Sequence, residues 1–317
     1  MKDCSFSTLF YQHHELIRTG KASPQTEDFL HTEDIWLSMY GLGKFETYSF
    51  IYRDCRDFSH FLTWATELKG ADFIDKASQE FHNWQENKGG SPVPEEPITR
   101  VLSDEQIQFW EENGYLRIPE AIEAAHCDRL KTRICKHLNL HMDFPETWYI
   151  PHPDWQGTML QMYQNEDIEL VRQSPFIRQI FAELYQTDYL VPVPEKLGYN
   201  PPQTESWNPG QGKLHWDLDI NEPIKFHIQG MIYLDEVPEN RGPLQIIPGF
   251  HHHFEEWIKD FSSLERAHDY IRITGKPVLV PGAKADLILW RNTCPHAASM
   301  NSSDLPRFVQ YVSYNQL

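Results

Sequence analysis

The sequence has no run of eighteen apolar residues, so nothing in it reads as a membrane-spanning helix. Its opening, MKDCSFSTLFYQHHELIRTG, lacks the apolar core of a secretory signal, and the closing YNQL matches no short C-terminal address. Positive charge is scarce. Lys and Arg number 28 against 46 Asp and Glu, a formal net charge of -18. A surface of that sign repels nucleic acid, and it disfavours a strongly anionic substrate unless a local basic pocket receives it. Cys4, Cys55, Cys127, Cys135 and Cys294 are odd in number and scattered, without a C-x-x-C, which excludes a disulfide framework or a zinc-finger grid. No G-x-G-x-x-G opens a helix and no internal repeat appears, so a dinucleotide domain is not expected. These absences point to a cytoplasmic protein with reduced thiols. They leave no role for nucleic acid or membrane, and nothing indicates a homo-oligomer.

What is present supports a substantial core. Of 317 residues, 40% are hydrophobic and 13% aromatic, enough for one large domain or two smaller ones. Up to about residue 90 the segments DFLHTEDIWLSMYGLGKF, DFSHFLTWATELKG and ADFIDKASQEFHNWQENKGG suit helices with aromatic faces. Phe73, Ala77, Phe81 and Trp84 recur at helical spacing and read as core or docking contacts. GGSPVPEEP, residues 89 to 97, reads as a linker. Residues 1–97 are therefore expected to form a helical extension and linker, and residues 98–317 a second domain.

That second part opens with SDEQIQFWEENG, where Ser103 and Gln106 have capping-box spacing and Gly114 is placed to end the helix. YLRIP follows as a short strand, and two further segments, starting PEAIEAAHC and EDIELVRQS, read as helices. From about residue 189 the pattern becomes strands: YLVPVPEKLGYN, GKLHWDLDI, KFHIQGMIYLDEV, PLQIIPG, PVLVPGAKADLILW and RFVQYVSYN. Helices first and strands later predict an α+β arrangement, an antiparallel barrel or sandwich flanked by helices.

KLHWDLD, residues 213 to 219, alternates His215, Asp217 and Asp219 with Leu214, Trp216 and Leu218. On a strand the three ionisable groups share one face, so His215 and Asp217 can reach one metal ion. A solvated strand edge explains the same pattern, and H-x-D alone is common. About 80 residues later, DLILWRNTCPHAASMNSSDLPRFVQYVSY brings His296 and then a strand headed by Arg307. Two histidines and one carboxylate on one side of a metal leave open positions, which suits non-haem Fe(II) binding O2 and an organic co-substrate. Arg307, on a strand expected beside His296, could clamp a carboxylate bidentately, as the far end of 2-oxoglutarate requires. Cys294 is close to His296 but is a weak candidate ligand.

These residues resemble the phytanoyl-CoA dioxygenase family. The likeness rests on H-W-D at 215 to 217, ENRGPLQIIPGFH at 239 to 251, the distal His with an Arg eleven positions on, and the entry segment DEQIQFWEENGYLRIPEAI. It covers about residues 100 to 315. It implies a double-stranded β-helix (jelly roll, cupin-like) and an Fe(II)- and 2-oxoglutarate-dependent dioxygenase that uses O2. By that resemblance His215, Asp217 and His296 are the catalytic metal ligands, Arg307 binds the distal carboxylate, and Ser299 assists it. Halogenating relatives replace the carboxylate by a small residue; Asp217 favours oxygenation. With no obvious Lys/Arg cluster for a CoA phosphate, hydroxylation of a small organic metabolite, releasing succinate and CO2, is expected.

Trp148, Tyr149, Trp155 and Trp207 precede the ligand segment and are candidates for a substrate pocket or lid, with ordinary packing as the alternative. Asp219 is either substrate-facing or a solvated strand end. Gly210 and Gly212 could let the loop before His215 move. His251, His252 and His253 suit surface or packing roles better than a second metal. Two other classes remain open from the residues: a zinc-dependent hydrolase or isomerase using the same ligands, and a barrel that binds a small ligand without turnover.

Overall fold

The computed structural model describes residues 4–21, 28–87, 98–208, 212–220 and 223–317. The expected linker at 89–97 and Gly210 lie outside the described residues. The chain begins with helices α1 (Cys4–Arg18), α2 (Phe29–Met39), α3 (Lys44–Arg53), α4 (Phe58–Lys69) and α5 (Ala71–Glu86). Next come α6 (Asp104–Asn113), β1 (Tyr115–Ile118), α7 (Ala124–Leu138), β2 (Trp155–Gln156), β3 (Met159–Leu160), α8 (Glu166–Arg172) and α9 (Pro175–Tyr185). The remainder holds β4 (Leu190–Pro192), β5 (Leu197–Asn200), β6 (Ile228–Tyr233), β7 (Leu244–Ile246), α10 (Phe254–Trp257), α11 (Leu264–Thr274), β8 (Val278–Val280), β9 (Leu287–Arg291), β10 (His296–Ala298) and β11 (Arg307–Gln316).

The strands form two antiparallel sheets. The larger runs β1-β9-β6-β11-β5-β3-β2, with β4 also paired to β11, and the smaller runs β10-β7-β8. Met231 and Trp290 of the large sheet share one apolar cluster with Leu244, Ile246 and Val280 of the small one, so side chains of both sheets fill the space between them. The other face of the large sheet packs on α6 to α9 through Trp110, Leu130, Ile180 and Phe308. This is the expected jelly roll flanked by helices. β11 is buried on both faces: Phe308 and Tyr314 join the helical cluster, while Arg307 and Tyr311 face the space between the sheets.

Local chemistry explains the entry to the barrel. Ser103 Oγ accepts the amide of Gln106 at 3.2 Å, and Gln106 Oε1 accepts the amide of Ser103 at 2.9 Å. Gly114 ends α6 at φ +74°, and a Cβ there would stand 2.5 Å from His251 Nδ1 and 2.6 Å from Cys294 Sγ. His251 and His252 donate ring N–H groups to the carbonyls of Glu111 and Glu112, satisfying the end of that helix. His251 and His252 thus serve the packing of that helix end.

Helices α1 to α5 enclose a separate apolar cluster built on Phe10, Trp36, Phe61 and Phe81, which meets the barrel at Val191. Within α5 the inward face is Ile74, Ala77, Phe81 and Trp84, whereas Phe73 is 38% exposed beneath the Lys69 ammonium. The expected stripe is therefore one residue out of phase at its start. Helix α11, capped by Ser263 and burying Ala267 and Ile271, has no sequence-based expectation.

Candidate active site

The segment around His215 is not a strand. Residues 213–219 make a single bridge, between His215 and His296, closed by His215 N to His296 O and His296 N to His215 O, both 3.0 Å. The expected burial alternation survives all the same: Leu214 and Trp216 are buried, and Asp217 and Asp219 are exposed. Trp216 holds the segment in place of a ladder. Its indole N–H donates to Thr293 O at 3.0 Å, its amide donates to His268 Nε2 at 3.0 Å, and its ring stacks on His268. Clamped in this way, the two flanking side chains point into the barrel.

There they meet His296. His215 Nε2 is 3.6 Å from Asp217 Oδ1, and His296 Nε2 is 3.4 Å from Asp217 Oδ2. The three ligand atoms lie within 4.8 Å of one another. Each ring places Nδ1 against a backbone carbonyl, His215 on Lys213 O at 2.9 Å and His296 on Cys294 O at 3.1 Å. A carbonyl only accepts, so both Nδ1 atoms carry the proton and both Nε2 lone pairs face Asp217. Burial, and then the neighbouring His296, hold the His215 pKa below its ordinary value, favouring the neutral ring that a metal ion would require. Desolvation in the cavity wall pushes Asp217 up, but the neighbouring His296 and His215 rings and the Gln229 amide outweigh it and hold the carboxyl well below the usual range.

Gln229 has no counterpart in the sequence reading. Its Nε2 donates to Asp217 Oδ2 at 2.8 Å, and its Oε1 accepts the Trp290 indole N–H at 2.9 Å. The signal was a lone polar residue in the apolar run IQGMIY.

The cavity around the triad measures about 610 Å³, a normal volume for a small-molecule site. Arg307 lines it, 1% exposed. Its Nη1 donates to Gly242 O, while Nε and Nη2 have no partner among the described residues. Two aligned donors without an acceptor in a buried wall suit a carboxylate. β11 does not neighbour β10 as expected: β10 pairs with β7 in the small sheet, so Arg307 reaches the cavity from the large sheet.

Other expected site residues fall elsewhere. The Ser299 hydroxyl donates to Pro243 O at 2.9 Å and does not line the cavity. Trp148 is buried with its indole N–H on His141 O. Trp155 stacks on Trp207, with Tyr149 beside Trp207, so these rings pack on one another; Thr158 and Met159 line the cavity instead. Asp219 is exposed and outside the cavity wall. Cys294 is buried, which lifts its thiol to about 11 and leaves it inert.

Two facing antiparallel sheets with an inward His-x-Asp and a distal His define a jelly-roll metalloenzyme. The chain belongs to the phytanoyl-CoA dioxygenase (PhyH) family, whose model matches residues 110–309. It is an Fe(II)- and 2-oxoglutarate-dependent dioxygenase. A methylphosphonate hydroxylase of Gimesia maris is 22% identical over 228 residues, spanning 69% of this chain and 83% of that protein. The non-haem α-ketoglutarate-dependent carbocyclase SnoK from nogalamycin biosynthesis has a similar fold, with a TM-score of 0.50 at 20% identity over 68% of this chain and 84% of its own. Among the described residues no helix is long and apolar enough to cross a membrane.

Proposed function

We propose that His215, Asp217 and His296 hold the Fe(II), that Arg307 binds the distal carboxylate of 2-oxoglutarate, and that the reaction is hydroxylation of a small organic metabolite. The observation that carries this reading is the pair of Nε2 lone pairs aimed at Asp217 from rings whose Nδ1 protons are already committed. Bound there, iron with 2-oxoglutarate and O2 supplies the oxidising power to place oxygen on a C–H bond, with succinate and CO2 as co-products.

The protein's own part is positional. Trp290 fixes Gln229, Gln229 fixes one oxygen of Asp217, and Trp216 fixes the loop that carries His215 and Asp217. Met231, Leu244 and Trp290 give the cavity an apolar wall that limits water near the reacting bond. Asp217, as a carboxylate in place of a small residue, supports oxygenation over halogenation.

The same reading divides the chain into a helical extension with linker, 1–97, and an oxygenase domain, 98–317. Support comes from apolar clusters that are nearly separate between the two parts. Four unpaired cysteines among the described residues support a reducing, cytoplasmic setting. Anaerobic titration with Fe(II) and then 2-oxoglutarate tests the site. A visible charge-transfer band is expected, absent in Asp217→Ala and weakened in Arg307→Met. A full-strength band in Asp217→Ala sinks the ligand assignment.

A further inference from the structure

The helical extension reaches the catalytic cavity. Lys44 and Phe45, the first residues of α3, line the wall of the metal cavity together with Glu195, Lys196 and Ser313. The same five residues also line an adjoining cavity of about 330 Å³, so the two spaces meet at this point. The turn that carries Lys44 and Phe45 is fastened to the barrel. Gly43 lies flat on the Tyr163 ring, where a Cβ would come within 2.5 Å. Gln164 Nε2 donates to Gly41 O at 3.0 Å and to Glu46 Oε2 at 2.9 Å, and Glu46 also accepts the Gly43 amide. Asn315 on β11 donates to Ser38 Oγ at 3.1 Å. The rim is therefore held in position by several independent contacts.

Its charge is unlike the rest of the molecule. In a chain of net charge -18, the cavity wall gathers Lys44, Lys196, Lys213 and Arg307 against Glu195 and Asp217. The two charges of Fe(II) and the two carboxylates of 2-oxoglutarate offset each other, so the wall keeps its positive excess in the loaded enzyme. Asp34, which pairs with Lys44 at 2.7 Å from the adjoining cavity, reduces that excess without cancelling it. Lys196 is the best placed of these cations. Its ammonium stands over the Tyr311 ring at 5.6 Å and is 3.6 Å from Glu195, a charge contact longer than a hydrogen bond. Glu195 meanwhile accepts the Ser313 hydroxyl at 2.9 Å. Burial pulls the Lys196 pKa down, but Glu195, Tyr311 and Asp217 together raise it, so the ammonium stays charged within range of the metal-binding carboxylate. Phe45, 56% exposed, offers an apolar face beside the two lysines.

We propose that the substrate is a small organic anion whose acid group is bound between Lys196 of the barrel and Lys44 of the helical extension, with its carbon skeleton against Phe45. The inference rests on the oxygenase reading above and names the substrate class for that site. It also gives the extension a role, since without α3 the anion site has one wall.

The test uses the full-length chain loaded anaerobically with Fe(II) and saturating 2-oxoglutarate, titrated calorimetrically with sulfate or with acetate while the charge-transfer band is followed. Sulfate stands for a tetrahedral acid group and acetate for a carboxylate; whichever binds more tightly identifies the group. Binding of either with the band retained is expected. Lys196→Met and Lys44→Met should each weaken it about tenfold or more, the loss expected for one charge-assisted hydrogen bond. The 2-oxoglutarate band should persist in both variants, which shows that they are folded and loaded. The proposal is overturned if neither anion binds, if affinity is unchanged in both variants, or if the anion displaces 2-oxoglutarate and abolishes the band. Absence of the band in the wild type would instead defeat the oxygenase site itself, so the two failures are distinguishable.

Discussion

Arg307→Met should make the protein more stable in the absence of 2-oxoglutarate and blind to the compound when it is added. Arg307 is 1% exposed, and two of its donors, Nε and Nη2, have no acceptor among the described residues. A buried polar group left unsatisfied costs ~1–3 kcal/mol, and replacing buried ionic groups with apolar ones is often stabilising by ~1–4 kcal/mol. Methionine keeps most of the stem's packing and removes the charge. It also gives up the charge-assisted hydrogen bond to Gly242 O, worth ~1.5–3 kcal/mol, against relief of two unsatisfied donors. The net gain expected for the ligand-free protein is ~1–2 kcal/mol, which for a large domain raises Tm by about 2–6 °C. At 2-oxoglutarate one hundred times its Kd, the wild type should gain ~2.7 kcal/mol and the variant almost nothing. The order of melting temperatures therefore inverts on adding 2-oxoglutarate. Thermal unfolding followed by circular dichroism, with anaerobic Fe(II) and with or without 2-oxoglutarate, reads this directly. If Arg307→Met melts below wild type in both conditions and both proteins shift equally, the guanidinium is a structural strand-end charge and the carboxylate role is wrong.

Other outcomes follow from named contacts. Gln229→Met removes the hydrogen bond to Asp217 and should weaken Fe(II) binding ~10–100-fold in an anaerobic titration; a change under twofold would show that Asp217 needs no support. Trp290→Phe leaves Gln229 without its own anchor and should give a smaller loss in the same assay. Gly114→Ala places a Cβ against His251 and Cys294 at positive φ, so urea unfolding should show a loss of at least ~1–2 kcal/mol; wild-type stability would mean that the α6 end relaxes freely. Burial holds His251 down to about 4, so the unfolded chain takes up a proton that the fold refuses between about pH 6.5 and 4. That contribution is present in full above pH 6.5 and is lost as pH falls toward 4; it is worth ~1 kcal/mol after allowing for solvent screening. The drop should shrink in His251→Gln, and an unchanged pH–stability profile would remove His251 as its source.

Much of the chemistry was legible in the residues. The spacing of His215 and Asp217, the later His296 and the Arg eleven positions beyond it are one-dimensional patterns. The structure brings the ligand atoms of the first three within 4.8 Å of one another. Less legible was how the first two are held. KLHWDLD alternates as a strand does, yet its backbone makes one bridge and the alternation is enforced by Trp216, clamped by Thr293 and His268. Period-2 burial signals two environments and not a ladder, so the face assignment held while the strand did not. Trp148, Trp155 and Trp207 show the converse. Large aromatics before a ligand segment look like a pocket, but an indole satisfied by a nearby carbonyl or stacked on another indole is already committed to packing.

The sequence by itself determined what depends on neighbours a few residues away. The Ser103 and Gln106 cap, the Gly114 stop, the buried strands from residue 189 and the alternation of Leu214 and Trp216 with His215 and Asp217 all follow from backbone sterics and side-chain periodicity within one window. Only the tertiary structure decided which distant windows meet. Sheet order set Arg307 on the large sheet and His296 on the small one, on different walls of one cavity. Register put Gln229 against both Asp217 and Trp290. A close approach of Gly43 to Tyr163 set Lys44 at the rim, gathering positive charge in one pocket of a strongly acidic chain. Such encounters arise from burying remote apolar faces together, and no local pattern specifies the polar groups that those faces carry into contact.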